Sequence, residues 1–308
     1  MDVAQFVITS ALTLSVPIIF VALGGMWSLT VGELNIGLEG QMLIGAFISV
    51  TVAYATGSTL VGVVSGGIAG IVSGLLFGVL VVYLKGDPFI VGITTNILFS
   101  ALTVMLLGLL FRVKGSFSDP SLKSIARFPV GPIADVPIIG RILGDQSVMF
   151  GVMILAVAAS WYVLRFTTLG LRLRIAGEKP EALLTAGIRV PRMRLVVQLV
   201  TGLLCGLGGA ELAMGSLTLF STDMTAGRGF VAIGIVIIVG SRPVILAVST
   251  LGYGILASIG LDLQQTGFPP QIPQMLPYLA AIVAMVLIAV RRTRRNRQVT
   301  LDTRLATP

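Results

Sequence analysis

Long apolar runs broken by short polar stretches set the pattern of this chain. A helix crosses a hydrocarbon core with about 20 apolar residues. Runs of that kind fall at roughly 6–27, 60–84, 89–111, 147–166, 193–214, 244–260 and 274–290. Two weaker runs lie at 34–55, polar at its start, and at 229–240, too short to span alone. The pattern predicts an all-α integral membrane protein with about eight to ten transmembrane or half-membrane helices. Short and glycine-interrupted spans are what transporters use to build sites near the bilayer midplane. Residues 1–292 read as one membrane domain and 293–308 as a basic tail. The first apolar run has no basic residue before it, so it reads as an uncleaved span and not as a signal peptide.

Composition agrees and narrows the chemistry. The chain is 55% hydrophobic and 11% charged, against about 25% charged in a soluble domain, and its mean hydropathy is +1.00. It has no histidine and one cysteine, Cys205. Histidine catalysis, histidine metal sites, intramolecular disulfides and cysteine zinc clusters are therefore excluded. There is no G-x-x-x-x-G-K-[ST] loop, no H-E-x-x-H and no serine elbow with a histidine to serve it. The chain reads as a non-enzyme with no ATPase site of its own, no cofactor and no metal.

The net charge of +8 is concentrated at the ends of spans. Arg172, Arg174, Lys179, Arg189, Arg192 and Arg194 form one cluster, and the tail from Arg291 to Arg304 another. Such clusters mark the cytoplasmic side, so loop 167–194 and the C-terminus are expected there. Loop 112–146 then lies outside. It carries Arg112, Lys114, Lys123, Arg127 and Arg141, partly balanced by Asp119, Asp135 and Asp145. It is expected to cover the outer mouth with a short re-entrant or surface helix. Nucleic acid is a poor partner, because the basic clusters flank the membrane and lack interleaved aromatics.

Within this apolar chain the stretch Gly32–Gly45, GELNIGLEGQMLIG, stands out. No Lys or Arg precedes Lys85, so Glu33 and Glu39 have no local cation. Ionisable groups at membrane depth mark functional sites by default. Three readings are open for the two glutamates: lining a solute path, capping a broken helix whose backbone N–H groups are freed, or resting at the interface. Asn35 and Glu39 share a helical face, and Gln41 follows on the same stretch. Thr94, Thr95 and Asn96 are uncharged polar groups in a later span that could meet a polar solute, with Phe89 and Phe99 near them. Glu211, Asp223, Arg228 and Arg242 form a further polar set, in which Arg228 opens the short run 229–240 and is a candidate counter-charge for Glu33, Glu39 or Glu211. Gly62, Gly66, Gly70, Gly74 and Gly78 recur every four residues, a stripe that lets a second helix approach closely. In the basic loop, Pro180 suits a first helical turn, Glu181 the N-terminal dipole and Gly187 a stop, which predicts a two-turn helix lying on the membrane face.

Four stretches together carry a resemblance: LNIGLEGQMLIGAF (34–47), LGLRLRIAGEKPEALLTAGI (169–188), TGLLCGLGGAELAMG (201–215) and TAGRGFVAIGIVIIVGSRPV (225–244). The combination resembles the permease subunit of bacterial ATP-binding-cassette importers of the ribose and branched-chain amino-acid class, nearest to the branch that imports nucleosides and related simple sugars. The resemblance implies a type II importer-like permease in the bacterial plasma membrane, paired with an identical or related second permease. It also implies separate ATPase subunits and an extracytoplasmic substrate-binding protein, with membrane lipid around the whole. Gly177, Glu178, Lys179, Pro180, Glu181, Thr185 and Gly187 match the coupling helix that docks on the ATPase. Glu33, Asn35, Glu39, Gln41, Thr95, Asn96, Glu211 and Arg228 remain solute-path or helix-break candidates. Another solute, such as a branched-chain amino acid, is the alternative within transport. An ion-coupled carrier would call for internal inverted repeats, and no convincing repeat is present.

Overall fold

The computed structural model describes residues 3–127, 144, 146–215 and 217–265. The run 274–290, the basic tail and the middle of the 112–146 loop lie outside the described residues. The helices are α1 (Val3–Thr30), α2 (Leu38–Thr56), α3 (Thr59–Gly78), α4 (Pro88–Phe111), α5 (Val148–Phe166), α6 (Thr168–Glu178), α7 (Pro180–Thr185), α8 (Val190–Met214), α9 (Arg228–Val239) and α10 (Pro243–Gln265). Seven of these, α1 to α5 together with α8 and α10, are long and apolar enough to cross a membrane. At 12 residues α9 is too short, as the apolar pattern predicts.

Two features depart from the helical pattern. Strands β1 (Ser116–Ser118) and β2 (Leu219–Ser221) pair antiparallel, with Ser116 opposite Ser221. Each is three residues long, below the length at which alternation is visible in a sequence. Helix α6 occupies the basic loop ahead of the expected two-turn helix. Its N-terminus is capped by Thr167, whose hydroxyl accepts from the Gly170 N–H at 3.2 Å. Helix α8 starts at Val190, three residues earlier than its apolar run, because Pro191 sits in its first turn.

Helix α8 is the centre of the bundle, wrapped by α1, α2 and α3. Its C-terminal half, Leu204 to Met214, is almost wholly buried. Helices α1 and α3 both run antiparallel to it. Gly24 meets Thr201 and Gly208 meets Pro17 on one side, while Gly66, Gly70 and Gly74 meet Gly206, Gly202 and Gln198 on the other. A Cβ built at Gly70 would overlap the Gly202 carbonyl, and one built at Gly202 would overlap the Gly70 carbonyl. Gly62 faces Ser49 and Ala53 of α2, and Gly78 faces Leu195 and Gln198. Small residues substitute for a hydrophobic driving force that lipid does not supply between helices. The large apolar side chains Leu60, Ile68, Val72, Ile97, Leu109 and Leu155 point outward instead.

The two ends of the bundle differ. At one end the C-terminus of α1 meets α6, where Gly177 lies against the Thr30 carbonyl and Gly32. There the Thr30 hydroxyl also donates to Ser241 Oγ at 2.9 Å. This is the end that carries the basic loop. At the other end Tyr54 packs edge-on against Phe111 and Phe117, whose rings stack at 3.8 Å. Thr13 donates to Gln146 there, at 3.3 Å, so α1 starts at the end opposite the basic loop.

Replacing Gly70 by leucine is expected to cost at least about 3 kcal/mol, because neither backbone can retreat. Gly108→Leu is the matched control, since a Cβ at Gly108 meets nothing within 4 Å, and should stay within about 0.5 kcal/mol. Thermal unfolding of the two variants in detergent separates them. Equal midpoints would show that α3 and α8 can part without loss.

Candidate functional site

The stretch singled out in the sequence is a break between two membrane helices. Helix α1 ends with the Glu33 N–H donating to the Ser28 carbonyl at 3.1 Å. Gly32, at φ +85°, turns the chain. Residues 33–37 then climb back into the bundle before α2 starts at Leu38. Backbone freed at such a break has no water to turn to and must find partners within the protein.

Three amide side chains and a hydroxyl supply them. Ser28 Oγ donates to the Glu33 carbonyl at 2.7 Å. Gln198, on α8, donates to Ser28 Oγ at 2.8 Å and accepts from Asn35 Nδ2 at 3.1 Å. Asn35 Oδ1 accepts the Gly37 N–H at 2.8 Å. Asn96, on α4, donates to the Ile36 carbonyl at 3.0 Å and accepts the Gly40 N–H at 2.8 Å. Asn96 therefore spends both ends of its amide on this backbone. Thr95 is buried and donates to the Gly92 carbonyl at 2.9 Å, with its hydroxyl close to where a Gly37 Cβ would stand.

The two glutamates have different partners. Glu33 is buried and pairs with Arg194 Nη1 at 2.9 Å. Arg194 also donates to the Ala176 carbonyl at 3.3 Å, near the end of α6. Glu39 sits in the first turn of α2 and reaches across to α9. Its carboxylate accepts from the Gly227 N–H at 2.8 Å and the Gly229 N–H at 2.5 Å. Helix α9 has no cap from its own N-terminal glycine, so a carboxylate from another helix satisfies its first amides and its dipole.

Arg228 is not the missing counter-charge. Its guanidinium turns back onto the Met224 and Thr225 carbonyls, at 2.9 and 3.3 Å, and the cation beside Glu33 is Arg194. The sequence distance hid this pair, since 161 residues separate partners that the antiparallel packing of α1 and α8 brings together. Glu211 is buried near the end of α8 and accepts from Ser147 Oγ at 2.7 Å, while its second oxygen has no partner among the described residues. Gln41 is fully buried, and neither of its amide atoms is bonded to a described residue. Neither reaches the network of the break.

Four further residues belong to this region. Ser28, Gln198 and Arg194 complete the network. The fourth is Ser100, whose hydroxyl donates to Asp223 Oδ1 at 2.7 Å. Ser100 lies halfway along α4, and Asp223 is exposed on the loop that leads into α9. A lone Gln in an apolar span is a visible signal for Gln198, whereas a serine in a helix is not one for Ser100.

At the basic end Leu183 of α7 is buried against Ala176 and Val190. Gly187 takes φ +73° and closes the helix. Glu178, Lys179, Glu181, Thr185 and Gly187 are exposed, Pro180 is half-buried, Gly177 packs on the end of α1, and Leu184 is 60% exposed. The result is a short ledge with an apolar tip and an acidic rim.

Arg194→Met is expected to lower stability by about 2 kcal/mol, less than stripping one partner from a fully buried ion pair, because the Arg194 side chain is 26% exposed. The double variant with Glu33→Gln should recover most of it. Thermal unfolding in detergent reads both. A loss under about 0.5 kcal/mol in the single variant would show that Glu33 is solvated without its arginine.

Comparison with known proteins places this architecture. The family described as "Branched-chain amino acid transport system / permease component" matches residues 7–290. The nucleoside ABC transporter permease protein NupC of Lactococcus lactis is 33% identical over 294 residues, 92% of each chain. The guanosine ABC transporter permease protein NupQ of Bacillus subtilis is 28% identical over 299 residues, 92% of this chain and 93% of its own. A putative glucose ABC transporter permease protein, TsgC13 of Haloferax volcanii, is 26% identical over 318 residues, 96% and 95% of the two chains. No solved structure matches. The match takes in every element that builds the break, from α1 through α10, and the chain belongs to this permease-component family of transport systems.

Proposed function

We propose that this chain is the transmembrane permease subunit of an ATP-driven importer that moves nucleosides, or a related simple sugar, across the plasma membrane. ATP is hydrolysed by a separate subunit. The observation that carries the transport reading is the Ser100–Asp223 pair. A carboxylate exposed halfway along a membrane-length helix is costly against hydrocarbon, so this face borders a polar route. Sugar hydroxyls are donors that such a carboxylate accepts without a counter-ion. The names of the relatives in Lactococcus lactis and Bacillus subtilis support the solute class.

In this reading the other polar groups do structural work around the route. Glu39 fixes the start of α9 at the same depth, and Asn35, Asn96 and Gln198 hold the break open without exposing backbone. The basic end is cytoplasmic, and α7 seats Leu184 in a groove of the ATPase between Glu178 and Glu181. A second permease, identical or related, covers the open face beside α4. A substrate-binding protein delivers solute at the end that bears β1 and β2.

Uptake of labelled nucleoside into vesicles, with and without the ATPase subunit, tests this. Uptake should require ATP and the partner. Asp223→Asn should reduce it about tenfold, the value of one hydrogen bond to a charged group, with insertion and assembly unchanged. Uptake driven by an ion gradient with the ATPase absent would overturn the reading.

Glu178→Lys combined with Glu181→Lys should leave the protein inserted and folded but abolish co-purification of the ATPase. Normal assembly and transport in that variant would place the docking surface elsewhere.

A further inference from the structure

Away from the break, three helices border an open pocket of about 380 Å³ at the basic end. That is within the roughly 300–1,000 Å³ range of small-molecule sites. Its charged lining is Arg165 from α5, Arg174 from α6 and Arg242 from the turn before α10, with Trp161, Val244 and Ile245 completing the walls. Among the described residues, no acidic side chain lines it. Arg174 is held by a hydrogen bond to the Leu164 carbonyl, one of the carbonyls left free at the end of α5. Among the described residues, Arg165 and Arg242 have no carboxylate partner. Three arginines thus line one open space, and an anion placed there would be attracted by all three.

The depth of the cavity narrows what that anion is. Trp161 and Arg165 lie in the last turns of α5, and Val244 and Ile245 in the first turn of α10. Both are the ends of membrane-length helices, so the cavity stands at headgroup level, where tryptophan is enriched. Val244 and Ile245 are 49% and 46% exposed and face outward beside the arginines. The site thus has a cationic floor and an apolar lip. A free phosphate would use only the floor, whereas a phospholipid would use both. Basic pockets between membrane helices take anionic headgroups in this way.

We propose that this cavity is a binding site for the phosphate of an anionic phospholipid, held by Arg165, Arg174 and Arg242, with its acyl chains lying along Val244 and Ile245. The site clamps α5, α6 and α10 to one another at the base of α7. It does not depend on the solute carried.

Native mass spectrometry of the full-length protein in detergent tests this, with dioleoylphosphatidylglycerol and dioleoylphosphatidylcholine as probes. Wild-type protein should retain one phosphatidylglycerol in preference to phosphatidylcholine. Arg165→Gln and Arg242→Gln should each weaken that preference about fivefold, the effect of one arginine near a membrane surface, while Lys123→Gln at the opposite end changes nothing. Arg174 is left intact because it also ties α5. In wild-type protein alone, brominated phosphatidylglycerol should quench the fluorescence component that Trp161→Phe removes, and brominated phosphatidylcholine should not. Equal retention of the two lipids, or retention unchanged in the Arg165/Arg242 double variant, would overturn the proposal. So would full displacement of the lipid by millimolar inorganic phosphate, which would assign the cavity to a soluble anion.

Discussion

Hydrocarbon offers no hydrogen bonds, and this one constraint organises the bundle. A chain that breaks a helix inside a membrane must bring its own partners for every amide and carbonyl it frees. Here the break at residues 31–37 is served by Ser28, Asn35, Asn96 and Gln198, drawn from α1, the break itself, α4 and α8. The arrangement fixes where those helices sit relative to one another. Moving α4 by one residue would take Asn96 away from both Ile36 and Gly40. The polar network therefore acts as a register device in a bundle whose remaining contacts are shape and dispersion.

The same constraint explains the division of labour between the charges. Glu33, at the basic end, is close enough to the helix ends to be met by an arginine. Glu39, deeper in, is met by backbone amides at the start of α9. An arginine there would have to be desolvated as well, whereas the N-terminus of α9 already carries unpaired donors. One carboxylate thus satisfies itself and the start of a half-length helix together. Arg228 and the carbonyls of Met224 and Thr225 solve the complementary problem on the loop side.

The spans, the glycine stripe on α3, the short helix opened by Pro180 and the odd polarity of Gly32–Gly45 are all legible in the sequence, because each is written in local periodicity or in a residue type that is rare in apolar runs. The partners are not. Nothing local to Glu33 names Arg194, and nothing in the 225–229 stretch announces Glu39, because these contacts join residues 160 or more positions apart. Asn96 reads in the sequence as a polar group that could meet a solute or serve a helix break. Its bonds to the Ile36 carbonyl and the Gly40 N–H join residues 56 or more positions apart, which a sequence does not display. Ser100 was silent because a serine hydroxyl in a helix usually bonds its own preceding turn.

The contact of Gly70 with Gly202 has a consequence for how the chain can drift over generations. Most packed pairs tolerate enlargement on one side when the other side shrinks. Here both partners already have no side chain, and carbonyl meets carbonyl-bearing backbone directly. Any replacement at either position adds atoms, and there is nothing opposite left to remove. The pair admits no second-site rescue, so α3 and α8 change their other residues around a point at which neither lineage nor designer has room to trade.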